Sequence, residues 1–113
     1  MSTPLVKFVQ KGDTVDYTPG SAVAAGDVVV QADLVGVACL DIEANKLGAL
    51  AVSGVFDFPK DTGSATAIPA GTLCYWDAGN LIASTSSGDG KLIGKSSLAA
   101  ADDDETVRVR MDQ

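Results

Sequence analysis

Two stretches of this chain and one scattered set of carboxylates carry residue types that do chemistry in other proteins. Gly88-Asp89-Gly90-Lys91-Leu92-Ile93-Gly94-Lys95-Ser96 ends in the Gly-Lys-Ser of a phosphate-binding loop. Such a loop needs a glycine at position 89, where backbone amides cradle the phosphate. Asp89 stands there and would turn a carboxylate toward it, and no long helix fits before Asp102. Nucleotide binding is therefore not expected. The run Asp102-Asp103-Asp104-Glu105 has the charge to attract a divalent cation, but consecutive carboxylates lack the spaced ligands of a calcium loop, so a solvated turn is expected. Asp13, Asp16, Asp57 and Asp77 supply carboxylates that could pair for glycoside hydrolysis. A single tryptophan, Trp76, is a poor platform for a sugar ring.

The chain has no histidine, which removes Ser-His-Asp and Cys-His nucleophile activation and ordinary zinc sites together. Cys39 and Cys74 form no Cys-x-x-Cys pair and lie in apolar runs. They read as two buried, reduced thiols packing as small hydrophobes, a disulfide or metal pair being the alternative. No catalytic, cofactor-binding or metal-binding residue emerges, and the expectation is a protein that binds or builds. A small carbohydrate-active or nucleotide-binding enzyme is the alternative from another class.

What must be positioned is then a surface, and the elements that position it are strands. Val28-Val29-Val30 and Leu34 to Leu40 are continuous apolar runs, and Thr14 to Thr18 alternates polar with apolar. Ala49 to Phe58 reads as one strand bulged at Gly54, and Leu73 to Asp77 as the most aromatic strand. Leu5 to Gln10, Leu81 to Ala83, Lys91 to Leu98 and Thr106 to Met111 complete the set. Asp41 to Gly48 has the residues of one or two helical turns, though a long loop fits nearly as well. Eight or nine short strands with frequent Gly and Pro punctuation predict an all-β domain, a compact barrel or sandwich spanning 1–113.

The strands also repeat. Ala25-Gly26-Asp27-Val28 is echoed by Ala70-Gly71-Thr72-Leu73, and Leu34-Val35-Gly36-Val37 by Leu92-Ile93-Gly94-Lys95. Leu50-Ala51-Val52 is echoed by Val107-Arg108-Val109. The halves of this pseudo-repeat run roughly over 21–56 and 66–111, and the polar segment Ser84 to Gly90 accounts for the extra length of the second.

Fifteen acidic against eight basic residues give a net charge of −7, which disfavours nucleic acid as a partner. No apolar stretch approaches the ~20 residues of a membrane-spanning helix, so no membrane role is expected. The first residues lack the basic and apolar regions of a secretory signal, and the chain is expected to stay where it is made. Aromatics are only 5% of residues, so the core is expected to be thin and oligomerisation to supplement it. Phe56 and Phe58 fall on one face of their strand, opposite Asp57. Leu5, Val6, Phe8, Phe56, Phe58 and Trp76 are the candidate anchors for a subunit or partner interface, with the core the commoner fate of any single aromatic. Ser2 to Phe8 reads as an arm that pairs with a neighbour's sheet edge or, equally, as a first strand of the domain.

The order of blocks resembles a family. Val9-Gln10-Lys11-Gly12-Asp13-Thr14-Val15-Asp16-Tyr17-Thr18, Gly48-Ala49-Leu50-Ala51-Val52-Ser53-Gly54-Val55-Phe56, Pro59-Lys60, Tyr75-Trp76-Asp77 and Val107-Arg108-Val109-Arg110-Met111 are similar to the small capsid decoration, or cement, proteins of tailed bacteriophages. The resemblance runs through nearly the whole chain. It implies a small β-rich homo-oligomer, a trimer first and a dimer second, that docks outside the expanded head and stabilises contacts between major capsid subunits. Such a protein is made in the host bacterial cytoplasm and resides on the virion surface. Another virion component, such as a head-fibre base or tail-associated protein, is the alternative. Members are sometimes labelled recombinases, but this chain has neither an intact phosphate-binding loop nor the length of an ATPase domain.

Overall fold

The computed structural model describes residues 12–113. The predicted strand over Leu5 to Gln10 and the arm over Ser2 to Phe8 lie outside these described residues. Among the described residues nine strands form two antiparallel sheets: β1 (Thr14–Tyr17), β2 (Val28–Gln31), β3 (Leu34–Ala38), β4 (Gly48–Ala51), β5 (Gly54–Pro59), β6 (Leu73–Asp77), β7 (Ile82–Ser84), β8 (Lys91–Ser96) and β9 (Thr106–Met111). The first sheet has the order β1-β4-β3-β2 and the second β5-β9-β8-β6-β7. Neither closes into a barrel, so the architecture is the sandwich alternative of the all-β expectation.

Two local expectations change. Ala49 to Phe58 is not one bulged strand, because Gly54, at φ 119°, turns the chain out of the first sheet and into the second. That backbone region is open to glycine and strained for other residues. Asp41 to Leu47 takes the loop form, with no helix, and Gly48 begins β4. Ile42 bridges Val23 through both backbone bonds at 2.8 Å, and Asn45, at φ 62°, reverses the chain.

Backbone hydrogen bonds match at several points between the segments read as a repeat. Gly26 N–H donates to Ala38 O (2.6 Å) and Ala38 N–H to Asp27 O (2.9 Å). In the second half Gly71 N–H donates to Ser96 O (2.7 Å) and Ser96 N–H to Thr72 O (2.9 Å). The Val23–Ile42 bridge has its counterpart in Ile68–Ala100. Leu50 pairs with Ala38 while Val109 pairs with Ser96, so Leu50 corresponds to Val109, two residues beyond the match read from the sequence. A slip of two residues keeps the same face, which is why the sequence pattern tolerates it. Strand β1 has a counterpart as well: Asp16 lies opposite Ala49 as Asp57 lies opposite Arg108, making β5 the second copy of β1.

The main core is shared between the sheets. Val35 and Val37 of β3 cluster with Phe58, Trp76, Ile93, Val107, Val109 and Met111, all under one tenth exposed. Phe58 and Trp76 stack at 6.1 Å between ring centroids with a 59° tilt. A smaller cluster of Ala38, Ile42 and Leu50, with Val15, Tyr17 and Val29 half-buried against it, fills the opposite face of the first sheet.

Two polar devices fix the loops and the end of the second sheet. Lys60, only 6% exposed, points its Nζ at the carbonyls of Asp61 (2.7 Å), Ala101 (3.0 Å), Asp104 (3.0 Å) and Asp102 (3.3 Å). Gln113 uses its side-chain amide as a strand would use its backbone: Oε1 accepts from Val35 N–H (2.7 Å) and Nε2 donates to Val35 O (2.6 Å). Lys60→Met keeps the bulk and removes the ammonium that donates to those carbonyls, so it should cost about 2–4 kcal/mol in urea unfolding, since several part-buried acceptors lose their donor together. A loss under ~0.5 kcal/mol would refute the role given to the ammonium. Gln113→Ala should cost about 1–2 kcal/mol and speed hydrogen exchange at the Val35 amide; unchanged exchange there would contradict the clamp.

Candidate interaction surface

The residues singled out for chemistry fall into unrelated local roles. The Gly88 to Ser96 segment is mostly strand β8, with Lys95 exposed on the sheet surface. Asp89 accepts from the Ser84 hydroxyl (2.5 Å) inside its own turn. Asp57 forms an exposed pair with Arg108, Nε to Oδ1 at 3.0 Å. Asp77 accepts from Gly79 N–H and Asn80 N–H, each at 3.1 Å, and from the Asn80 side-chain amide at 2.9 Å. The Asn80 bonds come first in holding its carboxyl below the ordinary range. Asp13 accepts from the Ser53 hydroxyl at 2.9 Å. Among the described residues no group of three or more His, Cys, Asp or Glu side chains is arranged to hold a metal ion.

The acidic run does more than solvate a turn. Asp102 Oδ1 accepts from Thr66 N–H (3.1 Å) and Ala67 N–H (2.8 Å), and Asp104 Oδ2 accepts from Ala101 N–H (2.8 Å). These bonds and the Lys60 ammonium join the 60–67 and 101–105 loops. The sequence offered little sign of this, because the groups that receive the ammonium are backbone carbonyls, which any residue supplies.

Of the candidate anchors, Leu5, Val6 and Phe8 lie outside the described residues. Phe58 and Trp76 are 2% and 5% exposed and belong to the main core. Phe56 is half-buried against that core. With Val28, Val37, Phe58, Trp76 and Leu81 it lines an apolar groove of about 560 Å³ between the two sheets. The large apolar side chains that do face outward are others: Leu40 (77% exposed), Leu47 (71%), Leu81 (64%), Leu98 (55%) and Val55 (54%). Leu40 and Leu47 border a second recess of about 460 Å³ with Cys39, Ile42 and Ala49. Alternation marks strand faces and is silent about loop leucines, so the sequence pointed to aromatics instead.

The two thiols differ. Strand β3 ends at Ala38, which leaves Cys39 exposed on the following loop, contrary to its expected burial. Cys74 is buried on β6, and desolvation pushes its thiol pKa up. Alkylation of native protein at pH 8 should therefore modify Cys39 and spare Cys74 until denaturant is added, as read by peptide mass spectrometry. Equal rates at both would contradict this placement.

No curated protein and no solved structure matches the chain. The family described as phage cement protein does match, over residues 9–111. That span takes in both sheets and the nine strands of the described residues, so by its sequence the chain belongs to the phage cement protein family.

Proposed function

We propose that this chain binds the outside of the expanded phage head and stabilises contacts between neighbouring major capsid subunits, acting structurally and not as an enzyme. The family match over 9–111 carries this reading. The fold is in keeping with it. Short loops tied by backbone and side-chain bonds lose little freedom on docking, which lowers the entropic cost of association. Leu40, Leu47 and Leu98 face outward and supply apolar area to bury. A net charge of −7 complements basic patches on a partner and favours fast encounter. Oligomerisation, as a trimer first and a dimer second, would multiply weak contacts into avidity.

The test is co-sedimentation of the protein with expanded, empty heads that lack it, counting copies bound per major capsid subunit. Saturation at a fixed small-integer ratio is expected. Folded protein that stays in the supernatant at all concentrations would end the cement reading.

A further inference from the structure

Most residues that the two halves share have a reason in the fold. Gly26 and Gly71 occupy equivalent turns at φ 92° and 82°. Gly36 and Gly94 are equivalent close approaches, where a Cβ would lie 2.8 Å from Leu50 Cβ and 2.0 Å from Arg110 O. One shared residue has no such reason. The β3–β4 and β8–β9 loops, 39–47 and 97–105, have equal length, and each places a leucine second: Leu40, 77% exposed, and Leu98, 55% exposed. The equivalence rests on hydrogen bonds, since Ala38 and Ser96 just before them, and Ile42 and Ala100 just after, make matching backbone pairs. An exposed leucine adds nothing to its own sheet, yet both copies have one. Each loop is also acidic. Asp41 and Glu43 follow Leu40, and Asp102 to Glu105 follow Leu98.

We infer that the two loops are two copies of one docking element, each seating its leucine in an apolar recess rimmed by Lys or Arg on a different copy of the capsid subunit. The inference rests on the cement reading and adds to it the contact surface and its partner's chemistry. A shell made of repeated subunits presents the same recess many times. A chain carrying the same element twice can hold two of those subunits together, the second contact being gained at high effective concentration. Charge complementarity selects the rim: a leucine carried on an acidic loop is disfavoured at an acidic recess and favoured at a basic one.

The experiment measures binding of wild type, Leu40→Ser, Leu98→Ser and the double variant to heads lacking the protein. Leu81→Ser is the control, an exposed leucine in the β6–β7 turn that has no counterpart in the first half. Each single change should weaken binding roughly ten- to a hundredfold and the double change by about the product, with thermal unfolding unchanged. Leu81→Ser should bind within about twofold of wild type. Cys39, exposed beside Leu40, should lose maleimide reactivity on the head, as should Ser97→Cys beside Leu98 in a Cys39→Ser background. Raising salt from about 50 to about 500 mM should weaken binding, and insensitivity to salt would overturn the basic rim. Wild type that binds heads while L40S and L98S bind equally well would overturn this inference and leave the cement reading standing. Dependence on one leucine alone would overturn the paired arrangement. Wild type that fails to bind heads at all would overturn both.

Discussion

Val35 and Val37 lie on β3 of the first sheet but belong to the core of the second. Everything else in the architecture depends on that burial. A four-stranded sheet of Val, Ala and Leu has one small cluster of its own, in which only Ala38, Ile42 and Leu50 are fully buried. By itself it hides too little apolar surface to offset the entropy of ordering its chain. Packing β3 against Phe58, Trp76 and Val109 supplies what the first sheet lacks and covers a face that the second would expose. The Val35–Gln113 amide pairing and the Lys91–Asp33 ion pair (2.6 Å) run between the same two halves. The ion pair is exposed and contributes little; the apolar contact carries the association.

Much of this was legible in the sequence, and the reason is that strands advertise themselves by turns and alternation. The bounds of β9, Thr106 to Met111, are readable because Val107, Val109 and Met111 alternate with Thr106, Arg108 and Arg110. The repeat was visible where it is anchored by glycine, at Gly26/Gly71 and Gly36/Gly94, since those positions resist substitution. It was invisible between β1 and β5, where Thr-Val-Asp-Tyr faces Val-Phe-Asp-Phe and only the aspartate is shared. Backbone pairing found what side-chain identity had lost. The break at Gly54 escaped for a related reason. A bulge and a change of sheet both call for one glycine between two apolar runs, and only the choice of pairing partner separates them.

The surface was less legible than the fold. Aromatics are the usual markers of interfaces, but in a chain with so few of them the core takes them first, as Phe58 and Trp76 show. The most exposed apolar residues, Leu40, Leu47, Leu81 and Leu98, are leucines on loops, where no period exists to reveal them. Lys60 was hidden for the opposite reason. A lysine after a strand reads as solvent-exposed, and its burial is set by carbonyls from a loop some forty residues away, a relation no local pattern records.

The two halves also reach the same loop order by different chemistry. Two residues beyond β1 stands Pro19, whose carbonyl accepts from Asn45 N–H at 2.8 Å, while Asp41 Oδ1 accepts from Ala25 N–H at 2.8 Å. Two residues beyond the equivalent point of β5 stands Lys60, whose N–H donates to Glu105 O at 2.9 Å and whose ammonium gathers the carbonyls of 101, 102 and 104. In the first half a backbone bond and the Asp41 carboxylate hold the 39–47 loop, which carries two acidic residues and one lysine. The 97–105 loop carries four carboxylates in a row that repel one another, and its shape is held by a cation inserted beneath it. A loop so fixed can present a dense negative charge at little entropic cost to binding. Lys60 thus holds a loop far more acidic than its counterpart, while the bridges Val23–Ile42 and Ile68–Ala100 keep the same backbone pairing in both, so the two loops diverge in sequence around a shared anchor.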